Sequence, residues 1–481
     1  MAKARHLAAS LDDARLSPFH LRAVLVSGVG FFTDAYDLFI IGITATLVQQ
    51  QWHVGAAGLA VLTSMTLAGS VLGALGFGRA ADLAGRTRAY WLVAAILIAG
   101  AIASALAPSF WVLVAARFAL GIGIGGDYPV SAVLMSEYAN RQDRGKLVSM
   151  VFAAQALGLI VGPLAALGLL GSGLSHALAW RVLLGLGAVP AALVFYWRRK
   201  MPESPRYAEQ VQGTGAETAV QLARFTRGKI GPDALEYPFK HRMDLRLFWS
   251  FLKYRYVLIG TAGAWFLFDY AYYGNTISAP RILQMVSPHA SLMTITALQL
   301  AIFAIAALPG YLLSIAVMDR IGHRRLQWIG FVMMAVCFGL AGIVPGVSAM
   351  LAPFLVLFGV SYFFSEFGPN TTLFVLPAEV FPVSVRATGH GISSAVGKLG
   401  AFTGVFVFGF IQAALGLRGS LILSAAVAVG GALLTLLLEE PAGRSLEDVS
   451  ADDDVVGFAE TAALDEETRP AALREPPEEA P

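Results

Sequence analysis

Long apolar stretches alternate with short polar loops along most of the chain. Residues 89–116 form one such stretch and contain no charged side chain. Because about 20 apolar residues in a helix cross the hydrocarbon core of a bilayer, this pattern predicts membrane-spanning helices. We predict twelve of them, with approximate bounds 23–47, 58–81, 89–108, 111–136, 147–170, 178–197, 257–280, 293–318, 326–345, 349–377, 388–413 and 418–438.

A polar segment in the middle of the chain divides these helices into two sets of six. The predicted fold is all-α, an integral membrane protein with twelve transmembrane helices in two six-helix bundles. An acidic, Pro-rich tail ends the chain, and its composition predicts disorder. The predicted parts are a cytoplasmic N-terminal segment (1–22), an N-terminal bundle (23–197), a cytoplasmic central loop (198–256), a C-terminal bundle (257–438) and a cytoplasmic disordered acidic tail (439–481).

Composition narrows the class of protein further. Of the 481 residues, 57% are hydrophobic and only 14% are charged, and the mean hydropathy is +0.66. About a quarter of a globular chain is charged, so a soluble enzyme is excluded, and we expect no enzymatic activity. The net charge of +2 gives no support for nucleic-acid binding. The single cysteine, Cys337, rules out an intramolecular disulfide, and we expect neither a metal nor a cofactor.

The positions of Lys and Arg predict the orientation in the membrane. All but five of the 34 basic residues fall on the side that carries both termini and the central loop. By the positive-inside rule this side is cytoplasmic, so we expect a multi-pass protein of the plasma (cytoplasmic, or inner) membrane with both termini inside. The five exceptions are Arg117, Arg181, Arg281, Lys398 and Arg418.

The two halves of the chain repeat short charged motifs. The sequence DLAGRTR (82–88) follows helix 2 and DRIGHRR (319–325) follows helix 8, an offset of 237 residues. Two parallel six-helix repeats are typical of a transporter, with the substrate bound near the midplane between them. A Glu also precedes an Arg by seven positions in each half, and we interpret Glu137 with Arg144, and Glu379 with Arg386, as ion pairs of a cytoplasmic gate. The predicted gate residues are Asp82, Arg86, Glu137, Arg144, Asp319, Glu379 and Arg386.

With these loop motifs the sequence resembles the major facilitator superfamily over nearly all of residues 20–448. Within it, the sequence is similar to the phosphate:proton symporter family in four blocks. The blocks are GVGFFTDAYDLF (28–39), GIGIGGDYPVSAVLMSEYA (121–139), WFLFDYAYYG (265–274) and FGPNTTLFVLPAEVFPVSVRATGHGISSAVGKLGA (367–401). The resemblance implies the major facilitator fold and uptake of inorganic phosphate with protons by alternating access; we expect a monomer in the lipid bilayer. One departure is Leu83, which stands where the motif after helix 2 usually has Arg.

Few ionisable residues lie at membrane depth, where each costs about 2.5 to 3.5 kcal/mol and is therefore a candidate functional group. Carboxylates outnumber cations among them, so some must bind a proton, pair with a cation or contact water. Trp265, Asp269 and Tyr273 follow one another at intervals of four and so share one face of helix 7. The full set is Asp34, Asp37, Arg117, Asp127, Asp269, Glu366 and Lys398.

The resemblance assigns roles to these side chains. Dihydrogen phosphate carries both P–OH donors and anionic oxygens, so the Asp269 carboxylate and the Lys398 ammonium together complement it. Asp269 is also the expected partner of Lys398 when no anion is bound. The resemblance implies a phosphate site of Asp269, Lys398, Trp265, Tyr273, Tyr128, Gln155 and Asn370. It implies proton coupling through Asp34, Asp37, Asp127 and Asp269.

Several alternatives stay open at this stage. The same polar lining suits a proton-coupled carrier of another organic anion or a sugar, and a non-transporting nutrient sensor is a further possibility. Glu366 either faces the cavity or pairs with Arg117, and His390 either handles protons or forms a hydrogen bond at a helix end. The run GIGIGG (121–126) matches a dinucleotide-binding fingerprint, but no strand precedes it, and close helix packing explains its glycines.

Overall fold

The structure is a computed structural model that describes residue 12 and residues 15–208 and 252–450. Most of the predicted central loop and acidic tail, and most of the N-terminal segment, lie outside these residues. The described part is helical and contains no strand.

Six helical spans, α1 to α6, make up the first half. Two of them are interrupted, α5 at Ala154 and α6 at Gly187. The spans are α1 (Pro18–Trp52), α2 (Ala56–Ala84), α3 (Arg86–Ala105), α4 (Phe110–Tyr138), α5 (Arg144–Ala153 and Gln155–Gly171) and α6 (His176–Leu186 and Ala188–Lys200).

The second half repeats this arrangement with more interruptions. Both α7 and α8 contain a π-helical turn, and α10 breaks before Pro369 and Pro377, which cannot donate a backbone hydrogen bond. The spans are α7 (Leu252–Leu258, Ile259–Gly263 and Ala264–Ile277), α8 (Leu292–Ile302, Phe303–Ala307 and Leu308–Ile321), α9 (His323–Ile343), α10 (Leu351–Phe367, Pro369–Val375 and Pro377–Val380), and α11 with α12 within Arg386–Thr435.

Gly416 separates α11 from α12. Its φ of 66° is left-handed, a conformation that glycine adopts without steric cost, and it turns the chain inside an otherwise continuous helical segment. Ten described helices are long and apolar enough to cross a membrane. Twelve spans result because α11 and α12 are counted together as Arg386–Thr435 and because α7, which carries Asp269 and several tyrosines, is not among the ten. The predicted twelve-helix fold is confirmed.

Glycines bring the site-bearing helices into close contact. A Cβ at Gly125 of α4 would lie 1.9 Å from the carbonyl oxygen of Ser70, and one at Gly121 would lie 2.0 Å from that of Thr66, both on α2. The GIGIGG run is thus a helix-packing surface, as the sequence predicted. Gly400 and Gly404 of α11 meet α7 in the same way, with Cβ positions 2.2 Å from carbonyl oxygens of Phe266 and Tyr270. These contacts fix the helices that carry Tyr128, Asp269 and Lys398.

Candidate substrate site

The predicted phosphate-site residues come together between the two halves. Tyr128 on α4 and Gln155 on α5 face side chains from α7, α10 and α11. Every one of the seven is buried, with at most 4% of its surface exposed, so none points into lipid. The C-terminal half contributes Trp265, Asp269, Tyr273, Asn370 and Lys398.

Lys398 is the centre of the cluster. Its Nζ donates to Asp269 Oδ2 at 3.1 Å and to the Tyr273 hydroxyl at 3.0 Å. The same ammonium lies over the rings of Tyr128 and Tyr273, 4.2 and 4.4 Å from their centroids. An ammonium held by one carboxylate and two aromatic faces is compensated without water, and an anion can replace the carboxylate as its partner.

Hydrogen bonds extend the cluster across both halves. The hydroxyls of Tyr273 and Tyr128 lie 3.2 Å apart, and Gln155 Nε2 donates to Tyr128 at 3.0 Å. The Tyr311 hydroxyl on α8 donates to Gln155 Oε1 at 3.5 Å and accepts from Asn370 Nδ2 at 2.9 Å. Tyr311 is not among the predicted site residues, because a lone tyrosine in an apolar run gives no sequence signal that separates it from core packing.

Glu366 lies at the far end of this network. It accepts from the Tyr272 hydroxyl at 2.7 Å and from Asn370 Nδ2. Arg117 is occupied elsewhere, with its Nη1 3.7 Å from Asp37 Oδ1 and its Nε donating to Thr66 at 3.0 Å. Of the two readings that the sequence left open for Glu366, pairing with Arg117 is therefore wrong.

The three predicted proton-coupling acids of the N-terminal half are all buried, and each has a different environment. Asp37 faces Arg117, whereas Asp127 accepts from Arg198 at 2.7 Å and from Ser131 at 2.7 Å. Neither oxygen of Asp34 has a hydrogen-bond partner within the described ranges. Asp34 lies within electrostatic range of the Asp127–Arg198 pair and of Lys398. It is therefore a buried acid without a hydrogen-bond partner among the described residues, within electrostatic range of the central ammonium.

Arg198 is a residue that the sequence placed wrongly. The boundary at residue 197 put it in a solvated loop, but α6 continues to Lys200 and the Arg198 side chain is fully buried. Its guanidinium lies 4.2 Å from the centroid of the Tyr90 ring while it pairs with Asp127. Burial is possible because the carboxylate and the ring compensate the charge.

The residues predicted to form the cytoplasmic gate make ion pairs between the halves. Glu137 of the N-terminal half pairs with Arg386 at 3.5 Å, and Glu379 of the C-terminal half pairs with Arg144 at 3.1 Å. The predicted pairing of Glu137 with Arg144, and of Glu379 with Arg386, is thus wrong. Of the two arginines that the sequence offered, each Glu pairs with the one in the opposite half, because the helix ends meet across the interface; Glu137 also pairs with Arg86 of its own half at 3.1 Å.

Two aspartates of the repeated loop motifs also connect the halves. Asp82 at the end of α2 accepts from the backbone N–H and the hydroxyl of Thr388, both at 2.6 Å, in the first turn of α11. Asp319 at the end of α8 accepts from the backbone N–H of Lys146 at 2.8 Å, in the first turn of α5. A carboxylate at a helix N-terminus satisfies free N–H groups and complements the helix dipole. Leu83 itself is half exposed and makes no part of these contacts.

Contacts between the halves also exist on the opposite side of the site. The rings of Phe39 on α1 and Tyr273 on α7 stack with centroids 5.5 Å apart. Nearer the helix ends, a Cβ at Gly42 would lie 2.6 Å from the carbonyl oxygen of Ile277. The described structure is therefore closed on both sides of the Lys398 cluster.

Comparison with known proteins agrees with this geometry. Residues 23–452 match the sequence model of the sugar (and other) transporter family. The putative inorganic phosphate transporter 1-13 of Oryza sativa subsp. japonica is 37% identical, covering 92% of this chain and 93% of the relative. The low affinity inorganic phosphate transporter 1 of Petunia hybrida is 34% identical, covering 94% and 97%. This chain belongs to the sugar (and other) transporter family, together with these plant phosphate transporters, within the major facilitator superfamily.

Solved structures support the fold independently. The proton:xylose symporter XylE bound to 6-bromo-6-deoxy-D-glucose aligns with a TM-score of 0.77 at 20% identity, covering 90% of this chain and 98% of that one. A partially occluded inward open conformation of XylE from E. coli gives a TM-score of 0.68. These structures show the major facilitator fold, and the family match shows that the chain is a multi-pass membrane transporter.

Proposed function

We propose that this transporter carries inorganic phosphate into the cell together with protons, by alternating access across the plasma membrane, as a monomer with both termini in the cytoplasm. The observation that carries the proposal is the Lys398 ammonium, held at the interface of the halves by Asp269 and two tyrosines. The names of the plant relatives support phosphate as the substrate.

Phosphate binding follows from exchange of partners at Lys398. Dihydrogen phosphate enters between Lys398 and Asp269, so its anionic oxygens face the ammonium while a P–OH donates to the carboxylate. Tyr128, Tyr273 and Gln155 satisfy further oxygens. Because Asp269 then accepts a hydrogen bond from a phosphate hydroxyl, a proton lies between the carboxylate and the bound anion. Sulfate has no proton to donate at neutral pH, so it would leave two negative groups in contact.

Proton coupling follows from the surplus of buried carboxyls. Asp34 lies within electrostatic range of Lys398 and of Asp127. The affinity of Asp34 for a proton therefore changes when the charge on or around either group changes. We assign Asp34, Asp37, Asp127 and Asp269 to the proton path. Each net positive charge moved inward gains about 2.3 kcal/mol per 100 mV, which drives accumulation.

The two ion pairs between the halves, Glu137 with Arg386 and Glu379 with Arg144, are called the crossed ion pairs. Alternating access requires them to break when the cytoplasmic side opens. Breaking a buried pair is costly unless water reaches both charges at once, which opening itself allows. The gate therefore stabilises the inward-closed state. It opens when bound phosphate and protons favour the inward-open state by enough free energy to shift the equilibrium between the two states.

The test is uptake of radiolabelled phosphate by the purified protein in liposomes with an imposed pH gradient. We expect Asp269→Asn and Lys398→Ala to lose at least about tenfold of the wild-type rate, equivalent to 1.4 kcal/mol. Lys200→Ala, at an exposed cytoplasmic lysine, is the matched control and is expected to behave like wild type. If the wild type and both site variants take up phosphate equally, the site assignment is wrong.

Competition with labelled phosphate distinguishes a phosphate transporter from a carrier of another organic anion or a sugar. An excess of unlabelled sulfate, organic acid or sugar is expected to leave phosphate uptake unchanged. Inhibition by one of the organic compounds, combined with its own uptake, would instead make the chain a carrier of that class. Absence of any uptake and of any exchange by folded protein would favour a sensor.

A further inference from the structure

Glu366 is a buried acid without a cation. It lies on α10 one turn before the site residue Asn370 and has no exposed surface. Within residues 15–208 and 252–450 it forms no ion pair. The titratable groups that face it are the phenols of Tyr272 on α7, Tyr311 on α8 and Tyr362 on its own helix.

The donors around Glu366 are all neutral. The Tyr272 hydroxyl donates to Oε1 at 2.7 Å, and Asn370 Nδ2 donates to Oε2. Neutral donors compensate a buried carboxylate only in part, and a bound proton removes the remaining cost of burying the charge. Such a carboxyl is therefore suited to hold a proton in one state of the transport cycle and release it in another.

Asn370 connects this acid to the substrate cluster. Its amide nitrogen has two N–H groups, and the structure uses one on Glu366 and one on the Tyr311 hydroxyl at 2.9 Å. From Tyr311 the chain continues through Gln155 and Tyr128 to Tyr273 and Lys398. When Glu366 binds a proton, its Oε2 changes from acceptor to donor, and the Asn370 N–H is free to bind a phosphate oxygen.

Polar side chains lead from Glu366 toward the end of the bundle that faces away from the gate. One turn earlier on α10, the Tyr362 hydroxyl donates to Thr276 Oγ1 at 2.8 Å, and Thr276 lies in the last turn of α7. Thr276 in turn donates to the carbonyl oxygen of Tyr272, the residue whose hydroxyl contacts Glu366. In the proposed orientation this end is extracellular.

We propose that Glu366 is a second proton-binding site, located in the C-terminal half and coupled to phosphate through Asn370. The inference rests on the proposed function. On loading, a proton from the outer compartment forms an O–H bond with a Glu366 carboxylate oxygen and converts –COO⁻ to –COOH. After the halves open inward, that O–H bond breaks, the proton passes to cytoplasmic water, and the carboxylate re-forms its hydrogen bond with Asn370.

Glu366→Gln tests this directly, because the amide resembles the protonated carboxyl, with an acceptor oxygen and N–H donors, but cannot exchange a proton. Two readouts are measured in liposomes: phosphate counterflow, which needs no net proton movement, and protons moved per phosphate from the reversal potential. We expect counterflow within about twofold of wild type, at least a tenfold loss of proton-driven accumulation, and about one proton fewer per phosphate. Ser365→Ala, at a buried neighbour whose hydroxyl donates to the carbonyl oxygen of Ser361, is the matched control and is expected to keep the wild-type ratio.

The outcomes separate this inference from the function on which it rests. A wild type without phosphate counterflow contradicts the proposed function. An unchanged proton ratio in Glu366→Gln overturns the proton site but leaves phosphate transport standing. Loss of counterflow as well as accumulation in a folded Glu366→Gln protein also overturns it, because that result assigns Glu366 to positioning of Asn370.

A second variant keeps the test valid if Glu366→Gln fails to fold. Tyr272→Phe removes a donor that stabilises the ionised carboxylate and leaves the carboxyl itself intact. Since the protonated form is then favoured, the alkaline limb of proton-driven uptake is expected to move to higher external pH. An unshifted limb in the folded Tyr272→Phe protein would contradict the proposal.

Discussion

Arg86 and His323 occupy equivalent positions in the two halves, 237 residues apart, and each contacts two carboxylates at the proposed cytoplasmic gate. Arg86 lies 3.1 Å from Asp82 and 3.1 Å from Glu137. His323 lies 3.4 Å from Asp319 and 3.2 Å from Glu379. The gate thus contains the same arrangement twice. In the N-terminal half the group between the two carboxylates is a permanently charged guanidinium, and in the C-terminal half it is a titratable imidazole.

This difference predicts that the gate responds to cytoplasmic pH. The groups that face His323 are Asp319 and Glu379, and Glu440 accepts from its backbone N–H at 2.8 Å. A protonated ring pairs with both side-chain carboxylates, whereas a neutral ring has a single N–H to donate. As pH rises and the proton leaves, the inward-closed state loses an ion pair. We therefore expect the inward-open fraction of wild type to increase with pH.

His323→Arg is expected to abolish this response, because a guanidinium stays charged at every accessible pH. Spin labels at the half-exposed Leu83 and at Ile321, in a Cys337→Ala background, report the distance between the cytoplasmic ends of the two halves. We expect the distance distribution of wild type to broaden to longer values as the pH is raised above about 6.5, the ordinary pKa of imidazole, and to do so most at alkaline pH, because Asp319 and Glu379 hold the proton on the ring in the closed state. Equal pH responses in wild type and in His323→Arg would contradict this assignment.

The crossed ion pairs give a second prediction. A double-mutant cycle with Arg144→Gln and Glu379→Gln, read from the same spin-label distances, is expected to show a coupling of about 0.5 to 3 kcal/mol. The matched cycle with Arg144→Gln and Glu137→Gln is expected to show coupling near zero, because these two side chains do not pair in the structure. The reverse ranking of the two cycles would mean that the ion pairs form within each half.

Sequence reasoning could predict the helices and most of the candidate site, since both depend on local patterns. Hydropathy gives each span independently of the others, and the spacing of Trp265, Asp269 and Tyr273 places them on one helix face wherever that helix packs. The same holds for the charged loop motifs, which repeat at a fixed offset in the two halves. None of these features requires knowledge of how the helices meet.

The partners of buried charges could not be predicted, because packing between distant helices selects them. Glu137 has an Arg seven positions away in its own half and an equivalent Arg in the other, and only the docking of the halves decides between them. Arg198 follows Trp197 at a point where hydropathy falls, which indicates a loop. It is buried because α4 presents Asp127 to it. Glu366 likewise depends on hydroxyls from α7 and α8 that look like ordinary membrane aromatics in the sequence.

Arg198 gives a third prediction. Removing its charge in Arg198→Gln leaves Asp127 buried without a cation, and an unpaired buried carboxylate costs about 3 to 5 kcal/mol. We expect Asp127 to keep a proton instead and proton release to the cytoplasm to slow. Proton-driven uptake should fall at least about tenfold in kcat while the KM for phosphate changes little, because the substrate cluster is untouched.

The neighbouring Arg199 provides the control for this measurement, since its side chain is exposed on the same helix end. Arg199→Gln is expected to keep the wild-type kcat and the same dependence on the pH gradient. An equal loss in both variants would assign the effect to the basic helix end as a whole, and the specific role of the Arg198–Asp127 pair would be wrong.

Packing of α4 against α2 gives the last prediction. A Cβ at Gly125 would lie 1.9 Å from the backbone carbonyl oxygen of Ser70, which cannot move without shifting α2. Gly125→Ala is therefore expected to lower the free energy of unfolding by about 1 to 3 kcal/mol, as overpacking does, and to displace the adjacent Asp127 and Tyr128. Gly76→Ala on α2, where a Cβ meets nothing within 4 Å, gains helix propensity without a clash and should be neutral or slightly stabilising. The measurement is the thermal unfolding of both purified variants in the same detergent, and equal unfolding temperatures would show that α2 and α4 do not approach as closely as the structure places them.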